Sequence, residues 1–449
     1  MLPPQTSVPP AIQLLRWMVN PAPVLEGAQN RLGDIFTLRM AEVPDFVVLA
    51  NPDTIRDVFA DGGDAMHAGK ANSVLKPFLG DFSVLMLDGA EHMRQRKLLL
   101  PPFRGERLIA YGDTMIDTTL RTIASWPDND VIALHPSFQE ITLDVIIRTV
   151  FGIDNDARIK VIAEELKRIL EMATNPFMLV PRLQIDAGRW SPWGRFQAEL
   201  KRADELLYSI ISERRTNVTE GHTDILSLLL AARDDAGNPM SDRELRDELV
   251  TLLVAGHETT ATALAWTFRW LLAHRELTRT LQDEVEQSLV RGRLVPETIQ
   301  HLPLLDAVVR EALRLLPVIP MVGRVLQEPR QIEGYDLPEG TIVAPSIYLV
   351  HRRLGVYDNP ARFRPGRFLD HKFTPQEWFP FGGGVRRCIG MGFALFEMKM
   401  VVAAILARRS LELVDHSTPK IRRRAVTLTP KGGVRVRTRR RSTTDSGAN

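Results

Sequence analysis

Apolar residues recur at helical spacing through much of the chain. The segments ITLDVIIRTVFG, IKVIAEELKRILEMA and FQAELKRADELLYSIISERR each collect their apolar side chains on one face, which predicts amphipathic helices. LLDAVVREALRLL shows the same pattern and ends before Pro317. Near the end of the chain, MGFALFEMKMVVAAILARR is apolar on nearly all sides, which predicts a buried helix.

The longest predicted helix is SDRELRDELVTLLVAGHETTATALAWTFRWLLAHR. Ser241 and Glu244 have the spacing of a capping box, so we expect the helix to begin there. The apolar residues that follow surround the helix axis and predict a central, buried position. The run AGHETT in its middle has poor helix propensity, and such local conflicts concentrate at functional sites.

Strand patterns come in short local sets. FTLRM and FVVLA have strand composition, and NPD at residues 51–53 then predicts a turn and the N-cap of a helix. RQIEGYDLPEGTIVAPSIYLV predicts strands joined by turns at residues 333–334 and 338–340. Because helices dominate, we predict a mainly α, α+β fold with a smaller β-rich part. We expect one domain over residues 1–449, with a basic, partly flexible C-terminal stretch from about residue 420 to 449.

Composition and charge narrow the class of protein. The chain has 449 residues, of which 44% are hydrophobic and 25% charged, as in ordinary soluble globular proteins. No stretch of about 20 apolar residues occurs and the N-terminus lacks a signal-peptide pattern, so we expect a cytoplasmic protein without a membrane span. From Lys420 to Arg441 there are ten Lys or Arg and no Asp or Glu. Without a helix-turn-helix or RRM pattern, this segment predicts a solvated strand pair and tail, and no nucleic-acid partner.

The chain has a single cysteine, Cys388, in the sequence FGGGVRRCIG. One thiol excludes internal disulfides and cysteine-cluster metal sites, and fits a reducing compartment. The glycines allow the backbone to approach a flat partner closely. The N-terminus of the following helix, with Arg386 and Arg387, favours the thiolate, which is a strong iron ligand. The alternatives are an inert buried cysteine, or a nucleophile paired with a histidine; the nearest, His371, lies in a polar stretch without a cysteine-protease signature.

The run AGHETT places a carboxylate beside a hydroxyl, in Glu258 and Thr259. Activation of dioxygen consumes protons; a hydroxyl can hold an ordered water, and a carboxylate can connect that water to solvent. Gly256 and Thr259 can also loosen the helix so that a groove opens. A zinc site of the HExxH type is excluded because position 261 is Ala. The alternative is a mid-helix threonine whose hydroxyl bonds to a carbonyl of the preceding turn.

These two segments resemble the signature motifs of the cytochromes P450. FGGGVRRCIG fits the haem-binding loop of that family at every fixed position, and AGHETT resembles the oxygen-activation segment of its central helix. The resemblance spans roughly Gly33 to Val436. It implies that Cys388 ligates haem iron and that Glu258 and Thr259 deliver protons. The other haem-binding positions of the two segments are Ala255, Phe381, Gly384, Arg386 and Gly390.

Two further segments resemble the structural network of the family. Glu311 and Arg314 match its ExxR motif, and their helical spacing puts both side chains on one face. Arg367 lies in FRPGRF, which is similar to the family's Pro-Glu-Arg-Phe with Gly366 in place of the Glu. Since the family's network uses the arginine, the resemblance implies that Glu311, Arg314 and Arg367 join beneath the cysteine loop.

Other charged residues resemble the family's ligands for the haem propionates. His92 and Arg96 match its HxxxR motif, and Arg324 lies ten residues after Arg314, where the family has another such arginine. With Arg386, these residues imply a set of polar and cationic groups around the carboxylates of haem b. A buried dianion needs such a charge balance.

The resemblance implies a haem-thiolate monooxygenase that inserts one oxygen atom from O2 into a lipophilic small molecule. The resemblance accounts for nearly the whole sequence, so we expect no fused flavin or ferredoxin domain. We therefore expect a monomer that receives electrons from a separate ferredoxin and its NAD(P)H-dependent reductase, or from a flavodoxin. The candidates for a basic docking face are Arg94, Lys97, Arg387 and Lys399. The rival functions are a peroxide-driven peroxygenase or isomerase on the same fold, and a haem sensor or carrier; neither would need the acid–alcohol pair.

The resemblance also assigns a set of apolar residues to the substrate pocket. The candidates are Phe78, Leu85, Phe177, Met178, Ile319 and Met321. Leu, Met and Phe suit an apolar guest with few hydrogen bonds, and Met allows an adaptable fit. We therefore expect a terpenoid, a fatty acid or a steroid-like substrate.

Overall fold

Helices form most of the molecule, and the strands are short. The computed structural model describes residues 2–173, 175, 178, 180, 182, 184–216, 224–417 and 419–441. The helices are α1 (Pro10–Val19), α2 (Pro21–Leu32), α3 (Pro52–Ala60), α4 (Ala68–Ala71), α5 (Lys76–Leu79), α6 (Gly89–Leu99), α7 (Glu106–Ala110), α8 (Gly112–Ala124), α9 (Leu134–Phe151), α10 (Asp156–Ala173), α11 (Pro192–Thr216), α12 (Ile225–Ala231), α13 (Asp242–Leu271), α14 (Arg275–Gln287), α15 (Pro296–Ile299), α16 (Pro303–Leu315), α17 (Ile347–Val350), α18 (Arg367–Asp370) and α19 (Met391–Arg408). The strands are β1 (Ile35–Met40), β2 (Val43–Leu49), β3 (Met66–His67), β4 (Asp130–Ala133), β5 (Arg324–Leu326), β6 (Arg330–Ile332), β7 (Tyr335–Leu337), β8 (Ile342–Pro345), β9 (Arg409–Leu413), β10 (Ile421–Arg424), β11 (Thr427–Pro430) and β12 (Arg435–Arg440). The predicted mainly α fold with a smaller β-rich part is confirmed.

The long helix α13 runs through the centre of the helical part. It begins at the predicted capping box, in which Glu244 N–H donates to Ser241 Oγ at 3.2 Å and Ser241 N–H donates to Glu244 Oε2 at 2.7 Å. The helix packs against α9, α11, α16 and α19 and against strand β11. Its apolar residues are therefore buried on nearly all sides, as the pattern predicts.

The largest sheet has the strand order β1-β2-β8-β5-β3. β1 and β2 form an antiparallel hairpin, and β2 pairs in parallel with β8. The side chain of Asn51 caps α3 by accepting the N–H of Asp53 at 3.0 Å, as the turn signal predicts. Helix α3 then packs beside the segment leading to the cysteine loop, where the rings of Phe59 and Phe379 lie 5.5 Å apart. The sheet therefore helps to position that loop.

The basic C-terminal stretch forms strands where the structure describes it. β10 and β11 pair as an antiparallel hairpin, and β12 joins β4 and β9 in a sheet of its own. Among the described residues, no helix has both the length and the apolar character that a bilayer crossing requires.

The predicted strand character of SIYLV is wrong. The residues form the short helix α17, because Ser346 accepts the N–H of Leu349 at 3.3 Å and so caps a helical turn. The neighbouring turn prediction is confirmed. Glu333 and Gly334 adopt φ angles of 46° and 82° and connect β6 to β7.

Candidate active site

Cys388 lies in a loop that is pressed tightly against α3. A Cβ atom at Gly383 would come within 2.2 Å of the Phe59 ring, and one at Gly384 within 2.4 Å of the Phe59 carbonyl oxygen. Gly384 also has a φ of +63°, which glycine adopts most easily. The N–H of Cys388 donates to the Phe381 carbonyl at 3.0 Å and closes the loop. Gly383 and Gly384 therefore allow the loop to pack closely against α3. The sequence had predicted that the glycines allow a close approach to a flat partner.

The thiol of Cys388 lies in the wall of a cavity of about 1360 Å³ and is accessible from it. Although the thiol is accessible from the cavity, burial raises its pKa, while the N–H of Gly390 and the charge of Arg96 lower it less. In the polypeptide by itself, burial therefore opposes the thiolate form that Arg386 and Arg387 were expected to favour. Desolvation outweighs the local positive charge, and the cation that acts on the thiol is Arg96.

A cluster of basic residues lines the same cavity: His92, Arg96, Arg324 and Arg386. The Arg324 residue is 7% exposed, and burial together with the charge of Arg386 lowers its pKa to about 10. Burial also lowers the pKa of Arg386 to about 10 and that of His92 to about 3. His92 is therefore neutral at pH 7, and the arginines lie where positive charge is poorly solvated.

Asp88 is the acidic partner of this cluster, and the sequence did not indicate it. Its carboxylate pairs with Arg386 and accepts the N–H groups of Gly69 at 2.8 Å and Lys70 at 3.0 Å. Asp88 directly precedes α6, so from sequence it looks like a helix cap, yet its side chain reaches α4 and the cysteine loop instead. Nε of Arg386 has no hydrogen-bond partner among the described residues.

The thiol and the basic side chains around the cavity fit a bound iron cofactor that carries acidic groups. One thiol faces the cavity, and of the guanidinium groups of Arg96, Arg324 and Arg386 only that of Arg386 forms an ion pair with a carboxylate, Asp88, among the described residues. Such a cluster is stabilised by an anion with more than one negative charge. Within the described ranges, no group of three or more His, Cys, Asp and Glu could hold a metal ion. These features fit the haem-thiolate site that the sequence resemblance implies.

Helix α13 forms another wall of the cavity through Ala255 and Thr259. The Thr259 hydroxyl donates to the Ala255 carbonyl, and the helix stays regular through AGHETT. The predicted loosening is therefore wrong: the hydroxyl satisfies a carbonyl of its own helix, which is the alternative that the sequence left open. A Cβ at Gly256 would lie 3.0 Å from Ile146, so this glycine allows α13 and α9 to pack closely.

Glu258 is buried on the side of α13 that faces α9. It accepts a hydrogen bond from Gln139 at 2.7 Å, and its carboxylate lies 3.6 Å from His135 Nε2 and 3.4 Å from Arg424 Nε. Burial raises the pKa of Glu258, and Arg424 and the Gln139 amide lower it less. The sequence did not indicate Gln139, His135 or Arg424, since they belong to α9 and β10 and have no motif in common.

The predicted network of Glu311, Arg314 and Arg367 is present and buried. Glu311 accepts hydrogen bonds from Arg314 at 2.7 and 2.9 Å and from Arg367 at 3.1 Å. Arg314 also donates to the carbonyls of His351 at 2.7 Å and Pro360 at 2.8 Å. The network therefore fixes the backbone of the segment that precedes the cysteine loop.

Four of the six residues predicted for the substrate pocket lie in the cavity wall. Phe78, Leu85, Ile319 and Met321 line the cavity. Met178 lies in the hydrophobic core and does not line the cavity. Phe177 lies outside the described residues.

The predicted basic docking face is largely neutralised within the protein. Arg94 pairs with Asp234 and Glu244, Lys97 pairs with Asp235, and Lys399 bonds to Gln300 and Asp306. Arg387 remains exposed beside the cysteine. Arg104, just before α7, and Arg107, within α7, are also exposed. The sequence did not indicate them as part of a docking face.

Comparison with known proteins gives the same class. The family model for cytochrome P450 matches residues 3–436. A protein of Mycobacterium tuberculosis named cytochrome P450 135B1 is 37% identical over 446 residues, covering 98% of this chain and 91% of the relative. Another from the same organism, named cytochrome P450 135A1, is 37% identical over 442 residues, covering 97% of this chain and 95% of the relative. The solved structure of retinoic acid bound cyanobacterial CYP120A1 has a TM-score of 0.85 and 25% identity, covering 98% of this chain and 99% of that chain.

The chain therefore belongs to the cytochrome P450 family. Its cofactor is haem b, and its general activity is that of a haem-thiolate monooxygenase, which uses O2 and redox partner proteins.

Proposed function

We propose that this monooxygenase inserts one oxygen atom into an apolar terpenoid, fatty acid or steroid-like molecule. The observation that carries the proposal is the cavity between Cys388 and α13, which is walled by Phe78, Leu85, Ile319 and Met321. Such a wall favours an apolar guest with few hydrogen bonds. In the solved structure of CYP120A1 the bound molecule is retinoic acid, a mostly hydrocarbon molecule that ends in a carboxylic acid. That observation supports a guest of similar character.

In this proposal Cys388 holds the haem iron as a thiolate. Binding to iron would supply the positive charge that the buried thiol lacks in the polypeptide alone. Phe381, Gly384 and Gly390 shape the loop around the thiolate, and Glu311, Arg314 and Arg367 brace it from below. His92, Arg96, Arg324 and Arg386 would bind the haem carboxylates and thereby lose the electrostatic penalty of their burial. The bound haem supplies reductive activation of dioxygen.

Thr259 and Glu258 would supply protons to that chemistry. Thr259 presents its hydroxyl at the cavity and can exchange the bond to the Ala255 carbonyl for one to a water or substrate. Glu258 has a raised pKa and lies beside His135 and Arg424, so its carboxyl can take up and release a proton on the α9 side.

The threonine role predicts uncoupling in Thr259→Ala. We expect the variant to retain haem but to divert NADH-derived electrons to hydrogen peroxide, with product per NADH falling about a hundredfold, the lower end of the range for general acid–base catalysis. The measurement is product and peroxide formed per NADH consumed, with a ferredoxin and its reductase. The control is Thr267→Ala, which removes a similar hydroxyl-to-carbonyl bond, 2.8 Å to Ala263, at a buried position outside the cavity. Unchanged coupling in Thr259→Ala would sink the proton-delivery role.

Electrons would come from a separate acidic partner, such as a ferredoxin with its NAD(P)H-dependent reductase, or a flavodoxin. Arg387 in the cysteine loop is exposed, and so are Arg104 and Arg107 around the start of α7. Leu108 of α7 would lie 3.6 Å from a Cβ at Gly392, just after the loop, so the three charges would attract such a partner together. We expect the first electron transfer to slow as ionic strength rises, since exposed charges are screened. Turnover with peroxide alone, and none with NADH and partners, would instead favour the peroxygenase.

A further inference from the structure

Two adjacent arginines of strand β10 line the cavity, and they differ in their partners. Successive side chains of a strand point to opposite faces, so Arg423 and Arg424 lie on opposite sides of β10. Arg424 faces α13, where its Nε lies 3.4 Å from the Glu258 carboxylate. Arg423 faces α1, where its Nη1 donates to the Trp17 carbonyl at 3.3 Å. No step of the proposed function uses Arg423.

Arg423 is a cation without an acidic partner among the described residues. Its Nε donates to the Ala425 carbonyl at 2.6 Å, and its guanidinium carbon lies 5.8 Å from the centre of the Trp17 ring. Burial lowers the pKa of Arg423 to about 10, and no carboxylate acts against that shift, so the group stays charged at pH 7. Because buried charges in proteins are ordinarily paired, the missing acid requires an explanation.

Part of the Arg423 guanidinium remains accessible at the cavity. The residue borders the cavity and is partly exposed. The bonds to the Ala425 and Trp17 carbonyls engage Nε and Nη1. Nη2 has no hydrogen-bond partner among the described residues, and protein atoms do not enclose it. Its N–H groups are therefore available to a guest in the cavity.

A role in ending α1 does not account for these free donors. Trp17 lies in the last turn of α1, and an arginine can bind the carbonyls that a helix leaves unpaired at that end. That role uses one of the five N–H donors of the guanidinium group. A helix end also carries only a partial negative charge, which leaves most of the charge of Arg423 unbalanced.

The cavity wall around Arg423 is apolar. Trp17, Pro21, Phe46 and Met321 line the same cavity. Trp17, Phe46 and Met321 belong to one hydrophobic cluster, which also includes Ile421, two residues before Arg423 and on the same face of β10. A single accessible cation in such a wall suits a guest that has a hydrocarbon body and one anionic end.

We propose that Arg423 binds the carboxylate of the substrate, whose hydrocarbon part occupies the apolar cavity. The inference rests on the monooxygenase function proposed above and narrows its substrate class. It favours a fatty acid or a terpenoid acid over a neutral sterol-like molecule. The planar guanidinium matches the two oxygens of a carboxylate, and the guest would supply the negative charge that the protein does not.

The test compares three probes that share one hydrocarbon chain on the ferric haem protein: dodecanoate, methyl dodecanoate and dodecyltrimethylammonium. Calorimetry measures each dissociation constant and requires no turnover. We expect dodecanoate to bind about tenfold to a hundredfold more tightly than its methyl ester, the range of a charge-assisted hydrogen bond. Equal or weaker binding of dodecanoate would overturn the proposal, and so would the tightest binding by the quaternary ammonium.

Three variants separate this contact from the other positive charges at the cavity. Arg423→Met keeps an apolar stem without the charge and should abolish the preference for dodecanoate over its ester. Arg423→Lys keeps the charge without the planar fork and should retain a reduced preference. As a control, Arg422→Met removes an equal charge from an exposed neighbouring position of β10 and should keep the full preference.

The preference is a ratio of two dissociation constants, so a purely structural disturbance that weakens both probes leaves it unchanged. A preference that persists in Arg423→Met would assign the carboxylate to another cation. An equal loss in Arg422→Met would show a general effect of net charge. Either result contradicts the role of Arg423.

The outcomes also distinguish this inference from the proposed function. If the preference depends on Arg423 but NADH and redox partners give no oxygenated product from dodecanoate, the recognition site stands and the proposed function fails. If dodecanoate and its ester are both oxygenated and bind alike in the wild type and in Arg423→Met, the function stands and the recognition site fails.

Discussion

Two buried arginine clusters adjoin the cysteine loop, and they differ in how fully the polypeptide satisfies them. In the first, Glu311 accepts hydrogen bonds from Arg314, from Arg367 and from the Arg364 N–H. Backbone carbonyls take further Arg314 donors at 2.7 and 2.8 Å. In the second, Asp88 is the carboxylate that pairs with Arg386. Burial and mutual repulsion lower the pKa of Arg324 and of Arg386 to about 10.

The difference separates a structural network from a binding site. The first cluster neutralises its charges and saturates most of its donors within the chain, so it can stabilise the fold without any ligand. The second cluster concentrates positive charge at the cavity and is stabilised by an anion. Removal of a residue from each cluster should therefore have different consequences, in fold stability for the first and in cofactor retention for the second.

The largest effect is expected for Glu311→Ala. The change leaves two buried guanidinium groups without their carboxylate, and breaking a buried ion pair destabilises a protein by about 3–5 kcal/mol. Urea unfolding of the haem protein, followed by circular dichroism, measures the loss. Glu213→Ala is the matched control, because its pair with Arg158 is nearly half-exposed, at 48% and 45%, and should contribute less than about 1 kcal/mol. Similar losses in the two variants would contradict the structural role of the network.

Arg324→Leu should instead weaken haem retention without destabilising the haem-free protein. We expect haem to leave the variant about tenfold to a hundredfold faster, because a charge-assisted bond to a haem carboxylate is worth roughly 1.5–3 kcal/mol. The unfolding free energy of the haem-free protein should stay constant or rise, since a poorly solvated charge is removed. Haem transfer to an excess of an acceptor apoprotein measures the rate. Arg330→Leu, at a partly exposed pair with Asp61, should leave that rate unchanged. A large loss of apoprotein stability in Arg324→Leu would assign Arg324 to the structural class.

A smaller, pH-dependent effect on the free energy of unfolding is expected for His257, a buried side chain without an ion-pair partner. His257 bonds to Thr142 at 3.0 Å, and burial lowers its pKa from 6.5 to about 3. Between these values the unfolded chain binds the proton more readily than the folded chain. The stabilisation is therefore complete above pH 6.5 and is lost as the pH falls toward 3.

His257→Asn removes this proton linkage. Between about pH 7 and about pH 5, the wild type should lose about 2 kcal/mol more stability than the variant, from about 1.4 kcal/mol per pH unit below 6.5. Urea unfolding at the two pH values measures the difference. The exposed His416→Asn serves as the control and should follow the wild type. Parallel losses in His257→Asn and the wild type would show that His257 does not carry the linkage.

The sequence by itself determined the local features of this protein. The capping box at Ser241, the Asn51 cap and the spacing of Glu311 and Arg314 are set by nearby residues, so pattern alone locates them. The cysteine loop also follows from sequence, because its fixed positions lie within ten residues. These features depend on short-range geometry, and here the local preferences agree with the global fold.

Only the tertiary structure decided which distant groups meet and how burial changes their chemistry. Asp88 reaches Arg386 across about 300 residues, and Glu258 meets side chains of α9 and β10, contacts that no sequence spacing encodes. The Thr259 hydroxyl bonds to its own helix, and burial raises the pKa of the Cys388 thiol against the local charges. Desolvation depends on all surrounding atoms at once, and therefore on the folded chain as a whole.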